Sequence, residues 1–167
     1  MSGARSRRTG ATFERQIARL LREATGTRWS RTKGGEAQPL GDVAPDADDP
    51  PPPPFDLLFV ECKAHASLRG WHLFRPTDQI RGWWSKARTE AEAAGKLPAL
   101  VMRVRRFGCV VALPRCMEAE IAESTNAAGD RWRLHCTQAA WSSWPSPVVI
   151  VDAEALLTPT KDPAHES

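Results

Sequence analysis

The segment Phe55 to Ala64, FDLLFVECKA, constrains the fold of this chain more than any other. It is apolar almost throughout until Glu61, as expected of a strand buried on both faces in the middle of a sheet. Strand side chains alternate, so Glu61 and Lys63 share one face and Cys62 takes the other. A carboxylate and an ammonium at the end of a buried strand are costly to desolvate unless something partners or uses them. An isolated E-x-K also describes an ordinary same-face ion pair where a strand leaves its sheet, so its surroundings decide the reading.

Those surroundings predict alternating helices and strands. From Thr12 to Ala24 the apolar residues Phe13, Ile17, Leu20, Leu21 and Ala24 form a helical stripe, and Gly26 is a natural stop. Thr27 to Leu40 reads as a short extended segment running into Gly34-Gly35, and Gly41-Asp42-Val43 as the start or end of a strand. Residues 44–54 hold six of the fourteen prolines and read as a loop of polyproline II character, since proline cannot donate to a sheet ladder. A second helix is expected from Pro76 to Ala94, with Ile80, Trp83, Trp84, Ala87 and Ala91 on its apolar face. Two strands, Pro98 to Val104 and Cys109 to Leu113, follow as a hairpin. A short helix at Arg115 to Glu123, a strand at Pro147 to Val151 and a helix at Asp152 to Leu157 complete the order. The expectation is an α/β fold: one central mixed β-sheet flanked by helices. Residues 1–9 read as a flexible basic arm, 10–157 as a single domain and 158–167 as a tail.

Composition narrows the class. The 167 residues are 41% hydrophobic and 26% charged, which excludes a disordered chain. No apolar run is long enough for a membrane helix, and Met1 to Gly10 carries arginines without the apolar stretch of a secretory signal. Cys62, Cys109, Cys116 and Cys136 show no C-x-x-C pair, so a zinc ribbon or disulfide framework is not expected. Reduced core cysteines and a cytoplasmic location are the expectation.

The net charge of +3 conceals a strong asymmetry. Residues 1–35 carry nine basic and two acidic residues, a net of +7, and residues 36–56 a net of −6. A basic arm and helix suit nucleic acid. Arginine outnumbers lysine 18 to 5; a GC-rich coding sequence and phosphate contact both explain such a bias. Arg5, Arg7, Arg8, Arg15, Arg31, Lys33 and Lys86 are the candidate phosphate contacts. His65 could also reach phosphate, or serve as polar lining.

The acidic segment contains Asp42, and Glu14 sits at the edge of the first helix's buried face. Two carboxylates converging at a strand end, Asp42 and Glu61, make an oxygen site suited to Mg²⁺, and the backbone carbonyl of Cys62 can add a third oxygen. Lys63 can then polarise a water or steady charge building on a phosphate. This is a phosphodiester hydrolysis site in outline.

These residues resemble the PD-(D/E)XK nuclease superfamily, and within it the small Holliday junction resolvases of archaea and phages. The likeness runs through G-x-x-F-E-R (Gly10 to Arg15), a Gly-rich turn, G-D, E-C-K at the end of a strand, W-W-x-x-A-x-x-E-A (Trp83 to Ala91) and P-A-L-V-M-R, over roughly residues 8–113. It implies a restriction-endonuclease-like core. It also implies Asp42 and Glu61 as metal ligands, Lys63 as catalytic lysine and Glu14 in support, with Mg²⁺ as cofactor and Mn²⁺ able to substitute. The partner it implies is a four-way DNA junction, nicked symmetrically by a homodimer, with no membrane involved. Relatives often carry a Ser in the turn before the Asp, absent here, and a Gln after E-x-K, where this chain offers Lys86 or Gln79. Asp56 is a rival for Asp42, but only five residues before Glu61 on the expected strand. Alternatives are another PD-(D/E)XK endonuclease acting on duplex or branched DNA, and a non-catalytic DNA-binding module.

Overall fold

The computed structural model describes residues 3–32, 40–117 and 148–153. Helix α1 spans Gly3–Thr25. Its Phe13, Ile17 and Leu21 are buried at helical spacing, and Gly26, at φ +72°, ends it by returning its amide to the Arg22 carbonyl. Residues 3–9, expected as a flexible arm, therefore extend this helix instead. They are polar and contribute no apolar stripe, so nothing in their pattern announces the helix.

The strands are β1 (Trp29–Arg31), β2 (Val43–Pro45), β3 (Leu58–Arg69), β4 (Leu97–Arg105), β5 (Gly108–Pro114) and β6 (Val148–Asp152). They lie in one sheet in chain order, antiparallel throughout except for the parallel pair β3 and β4. The β3-to-β4 connection carries two helices, α2 (Trp71–Phe74) and α3 (Asp78–Ala93). Thr77 caps α3, its hydroxyl accepting from the Ile80 amide at 3.4 Å.

Alternation divides the core between the two faces. Leu58, Val60 and Cys62 of β3 and Ala99 and Val101 of β4 pack with α1. Leu100, Met102 and Val104 pack with Ile80 and Trp84 of α3. The result is a mixed sheet between helices, the expected α/β, restriction-endonuclease-like architecture. Trp84 is core, at 1% exposure, and Trp83 packs partly buried against the same cluster.

Several boundaries differ from expectation. Ala44 and Pro45, read as loop, belong to β2, where Pro45 pairs with Trp29. Phe55–Leu57, read as strand, form a 3-10 turn, and β3 starts at Leu58 and runs on to Arg69. The expected helix at Arg115–Glu123 is a 3-10 turn over Arg115–Met117, its remainder outside the described residues. So are Lys33, Cys136, the helix expected to reach Leu157 and the tail. Cys62, Cys109 and Cys116 form no disulfide among the described residues; the first two are buried and Cys116 is exposed. No helix among the described residues is long and apolar enough to cross a membrane.

Candidate active site

The site forms where β2 parts from β3. The two strands pair at Val43 and Val60, and the Asp42 amide donates to the Val60 carbonyl at 2.8 Å. Gly41, at φ +77°, then turns the chain so close to β3 that a Cβ would stand 2.5 Å from the Val60 oxygen. Only glycine fits this approach. The Thr32 hydroxyl donates to the Gly41 carbonyl at 2.5 Å, and the Thr32 amide to the Asp42 carbonyl at 3.1 Å, fixing the turn from β1.

Beyond that turn β2 no longer supplies backbone to β3. The Asp42 side chain takes its place: Oδ2 accepts the Cys62 amide at 2.8 Å. The carbonyl of a strand residue lies on the same edge as its amide, so the Cys62 carbonyl also faces this opening. Glu61 is 4% exposed, an expensive position for a carboxylate. Two ammoniums compensate it. Lys63 Nζ is 2.5 Å from Glu61 Oε1 and 3.8 Å from Asp42 Oδ2. Lys86, reaching in from α3, is 3.5 Å from the same Glu61 oxygen and 3.5 Å from Glu90.

Burial first, then the neighbouring Glu61 charge, pushes the Asp42 carboxyl above its ordinary value. The Cys62 amide and Lys63 oppose this, and Glu14 adds a further negative charge. Burial pulls the Lys86 ammonium down, but the Glu61 and Glu90 charges outweigh it, and Lys86 stands above the ordinary lysine value. Burial raises the Cys62 thiol well above its usual range, which leaves the thiol neutral and inert.

The donor set fits a hard divalent cation. Asp42 and Glu61 repel one another, and a cation between them would relieve that repulsion. Among the described residues no three His, Cys, Asp or Glu side chains gather into a metal-sized group. Magnesium keeps several of its waters and is held by as few as one or two carboxylates, so two carboxylates and the Cys62 carbonyl are a sufficient set.

Glu14 stands close enough for its charge to be felt at Asp42, and Arg31 of β1 is ion-paired to it. Arg31, expected to contact phosphate, is thus occupied by a carboxylate. Lys86 is likewise tied into the site, whereas Gln79 is exposed at the start of α3. Arg8 and Arg15 are exposed, with no carboxylate partner among the described residues. Arg5 and Arg7 lie in α1, their side chains outside the description. Asp56 sits in the 3-10 turn before β3, one carboxylate oxygen buried without a hydrogen-bond partner among the described residues, apart from Asp42 and Glu61. His65 is exposed, bonded to the Ser67 hydroxyl at 2.7 Å, with its ring 6.0 Å from that of Trp83.

Sequence reasoning missed two positioning elements: Thr32, which ties down the turn, and Arg103, which donates to Gln16 at 2.5 Å and lies 4.7 Å over the Phe13 ring. The glycine before Asp42 was the available signal for the first. Nothing local signals the second, because its partners lie on α1.

The family model described as "Phage putative PDDEXK endonuclease" matches residues 5–140. No curated protein and no solved structure matches the chain.

Proposed function

Because the chain belongs to the phage PDDEXK endonuclease family, we propose that it hydrolyses DNA phosphodiester bonds with Mg²⁺ and that its substrate is a four-way junction, cut symmetrically by a homodimer. The observation that carries the chemistry is the Asp42 carboxylate bonded to the Cys62 amide, with Lys63 between Asp42 and Glu61. The junction is supported by the run of G-x-x-F-E-R, G-D and E-C-K, which resembles the resolvases.

In this reading Asp42, Glu61 and the Cys62 carbonyl hold the cation. When bound, it would neutralise phosphate charge and lower the pKa of a coordinated water. Lys63 holds the attacking water or a non-bridging phosphate oxygen, a contact that strengthens as charge builds at phosphorus. The water oxygen bonds to phosphorus, the bond to the leaving strand breaks, and the leaving oxygen takes up a proton. Lys86 offsets the buried charge of Glu61. Arg31 offsets Glu14, so that a third free negative charge does not meet the incoming phosphate.

The test is a synthetic four-way junction incubated with the protein and Mg²⁺. Paired symmetric nicks are expected, and Asp42→Asn should give none. Preference for linear duplex over the junction would move the substrate to another DNA form. Unchanged cleavage by Asp42→Asn would overturn the site.

A further inference from the structure

The far end of β3 carries a second group of residues that the active site does not use. Trp71, at 60% exposure, and Phe107, at 50%, are the two most exposed large hydrophobic residues among those described. They belong to one place. A side chain at Gly70 would collide with the Phe107 ring, so the backbone just before Trp71 lies against Phe107. Arg69 pairs with Arg105 in register across β3 and β4, and Arg106 lies between Arg105 and Phe107 in the β4–β5 turn.

Arg106 holds φ +66°, a conformation glycine or asparagine adopts far more readily, at the tip of that turn. None of Arg69, Arg105 and Arg106 has a carboxylate partner among the described residues, whereas Arg19, Arg28, Arg31 and Arg81 all do. The His72 ring is 3.9 Å from that of Trp71, and its Nδ1 accepts the Arg69 amide at 3.1 Å, so Trp71 is braced on one side.

A groove of about 390 Å³ on the α1 side of the sheet is lined by Thr9, Ala64, His65, Ala66, Arg103 and Arg105, with no carboxylate among them. Its β3 residues directly follow Lys63. Lys63 pairs with Met102 and Arg69 with Arg105, three residues further along β4, so β3, irregular between Ala64 and Arg69, advances roughly 10 Å over this stretch. That equals roughly three nucleotides of one DNA strand at about 3.4 Å each.

Two exposed aromatics among guanidiniums without a carboxylate partner fit a polyanion that also offers flat apolar faces. Duplex DNA buries its base faces by stacking and offers only edges and phosphates, so an aromatic platform gains from DNA only where bases are unpaired. We propose that Trp71 and Phe107, with Arg69, Arg105 and Arg106, form a stacking platform that holds unpaired nucleotides of the substrate about three positions from the cut. The platform rests on the reading of the chain as a DNA endonuclease. It adds that the enzyme engages bases unpaired at the branch of the junction, for which a single-stranded tail is the probe.

The test uses the whole chain in EDTA, with binding followed by fluorescence anisotropy. The probes are a blunt duplex and the same duplex bearing a single-stranded tail of about ten nucleotides, within the usual span of such contacts. Wild type should bind the tailed probe more tightly. Trp71→Ala should lose about tenfold on the tailed probe and nothing on the blunt one, and Trp71→Phe should retain most of the affinity. Arg106→Ala should weaken both probes and reduce the slope of log affinity against log salt by about 0.7–0.9. Equal wild-type affinity for the two probes, or equal losses on both in Trp71→Ala, would overturn the platform. So would self-association that depends on Trp71 while DNA binding does not. Cleavage with Mg²⁺ is scored separately. Tail-selective binding without any cutting would overturn the endonuclease reading alone, and cutting without tail preference would overturn the platform alone.

Discussion

Leu58–Val60 and Glu61–Lys63 are consecutive triplets of one strand, paired to the same neighbour β4 without a break in register. The first triplet is apolar and buried. The second puts a carboxylate at 4% exposure, nearly as deep as Leu58 at 6%, with a lysine two residues on. What separates them is β2. Val43 covers the first triplet, and the turn at Gly41 leaves the second with a side chain, Asp42, where a strand would have been. Burial on the first triplet holds the sheet together. On the second, the same depth is used to set a carboxylate against two ammoniums and a second carboxylate. A buried ion pair adds little stability over an apolar pair of the same shape. Its presence here fits the proposed chemistry better than a gain in strength.

The sharpest way to break this contrast is one substitution on each side. Glu61→Gln should remove cleavage by about three orders of magnitude, the loss of several kcal/mol of transition-state stabilisation. It should leave the fold intact, because the amide still accepts from Lys63. Phe59→Ala should do the reverse. Phe59 is 1% exposed, and its loss should cost about 3–5 kcal/mol of stability, read by urea denaturation, with activity per folded molecule retained. If Phe59→Ala abolishes cutting at unchanged stability, the two triplets do not divide the work in this way.

A smaller effect sharpens the same contrast. Under the proposed function Mg²⁺ would bind the native site and not the unfolded chain, so at a hundred times its Kd it should add about 2.7 kcal/mol of stability. For a chain of this size that raises Tm by roughly 5–10 °C. The gain should persist in a more conservative core variant, Val60→Ala, and vanish in Asp42→Asn and Glu61→Gln. A shift of equal size in all four proteins would place the cation elsewhere.

The contrast also explains what the sequence made legible. The apolar run into E-C-K revealed the strand, its burial and its charged end, because alternation and desolvation cost are local properties. It did not show that Phe55–Leu57 coil before the strand begins, since apolar character alone does not tell a pairing backbone from a turn. Nor did it show β3 continuing to Arg69: past Ala64 the residues His65, Ala66 and Ser67 are exposed, and exposed strand carries no burial pattern. The four residues of α2 are too few to show a period. The partnership of Arg31 with Glu14 joins residues seventeen apart on different elements, so the charge run read as a row of free phosphate contacts. Lys86 and Gln79 were equal candidates until the helix register brought Lys86 to Glu61. Local chemistry was visible, and pairings across elements were not.

The smallest effect is the most specific to Asp42. Burial and the Glu61 charge raise its carboxyl above the ordinary 3.8. In the metal-free protein the folded state therefore binds this proton more tightly than the unfolded chain does. Stability from this group is fully present below the unfolded value and falls as pH rises through the raised folded value, after which it levels off. This is opposite in sign to a carboxylate that a salt bridge stabilises, even though Lys63 lies 3.8 Å away. Burial and the second carboxylate outweigh the lysine. Asp42→Asn keeps an oxygen for the Cys62 amide and cannot ionise. Its metal-free melting temperature should lack the downward step that wild type is expected to show as pH rises above the ordinary aspartate value, and should lie above wild type at neutral pH. Saturating Mg²⁺ should reverse that order, because only the wild-type carboxylate gains from the cation. A wild type whose stability instead rises with pH through that window, relative to Asp42→Asn, would mean that Asp42 is held by Lys63 as a structural ion pair, and β3 would then carry one kind of burial along its whole length.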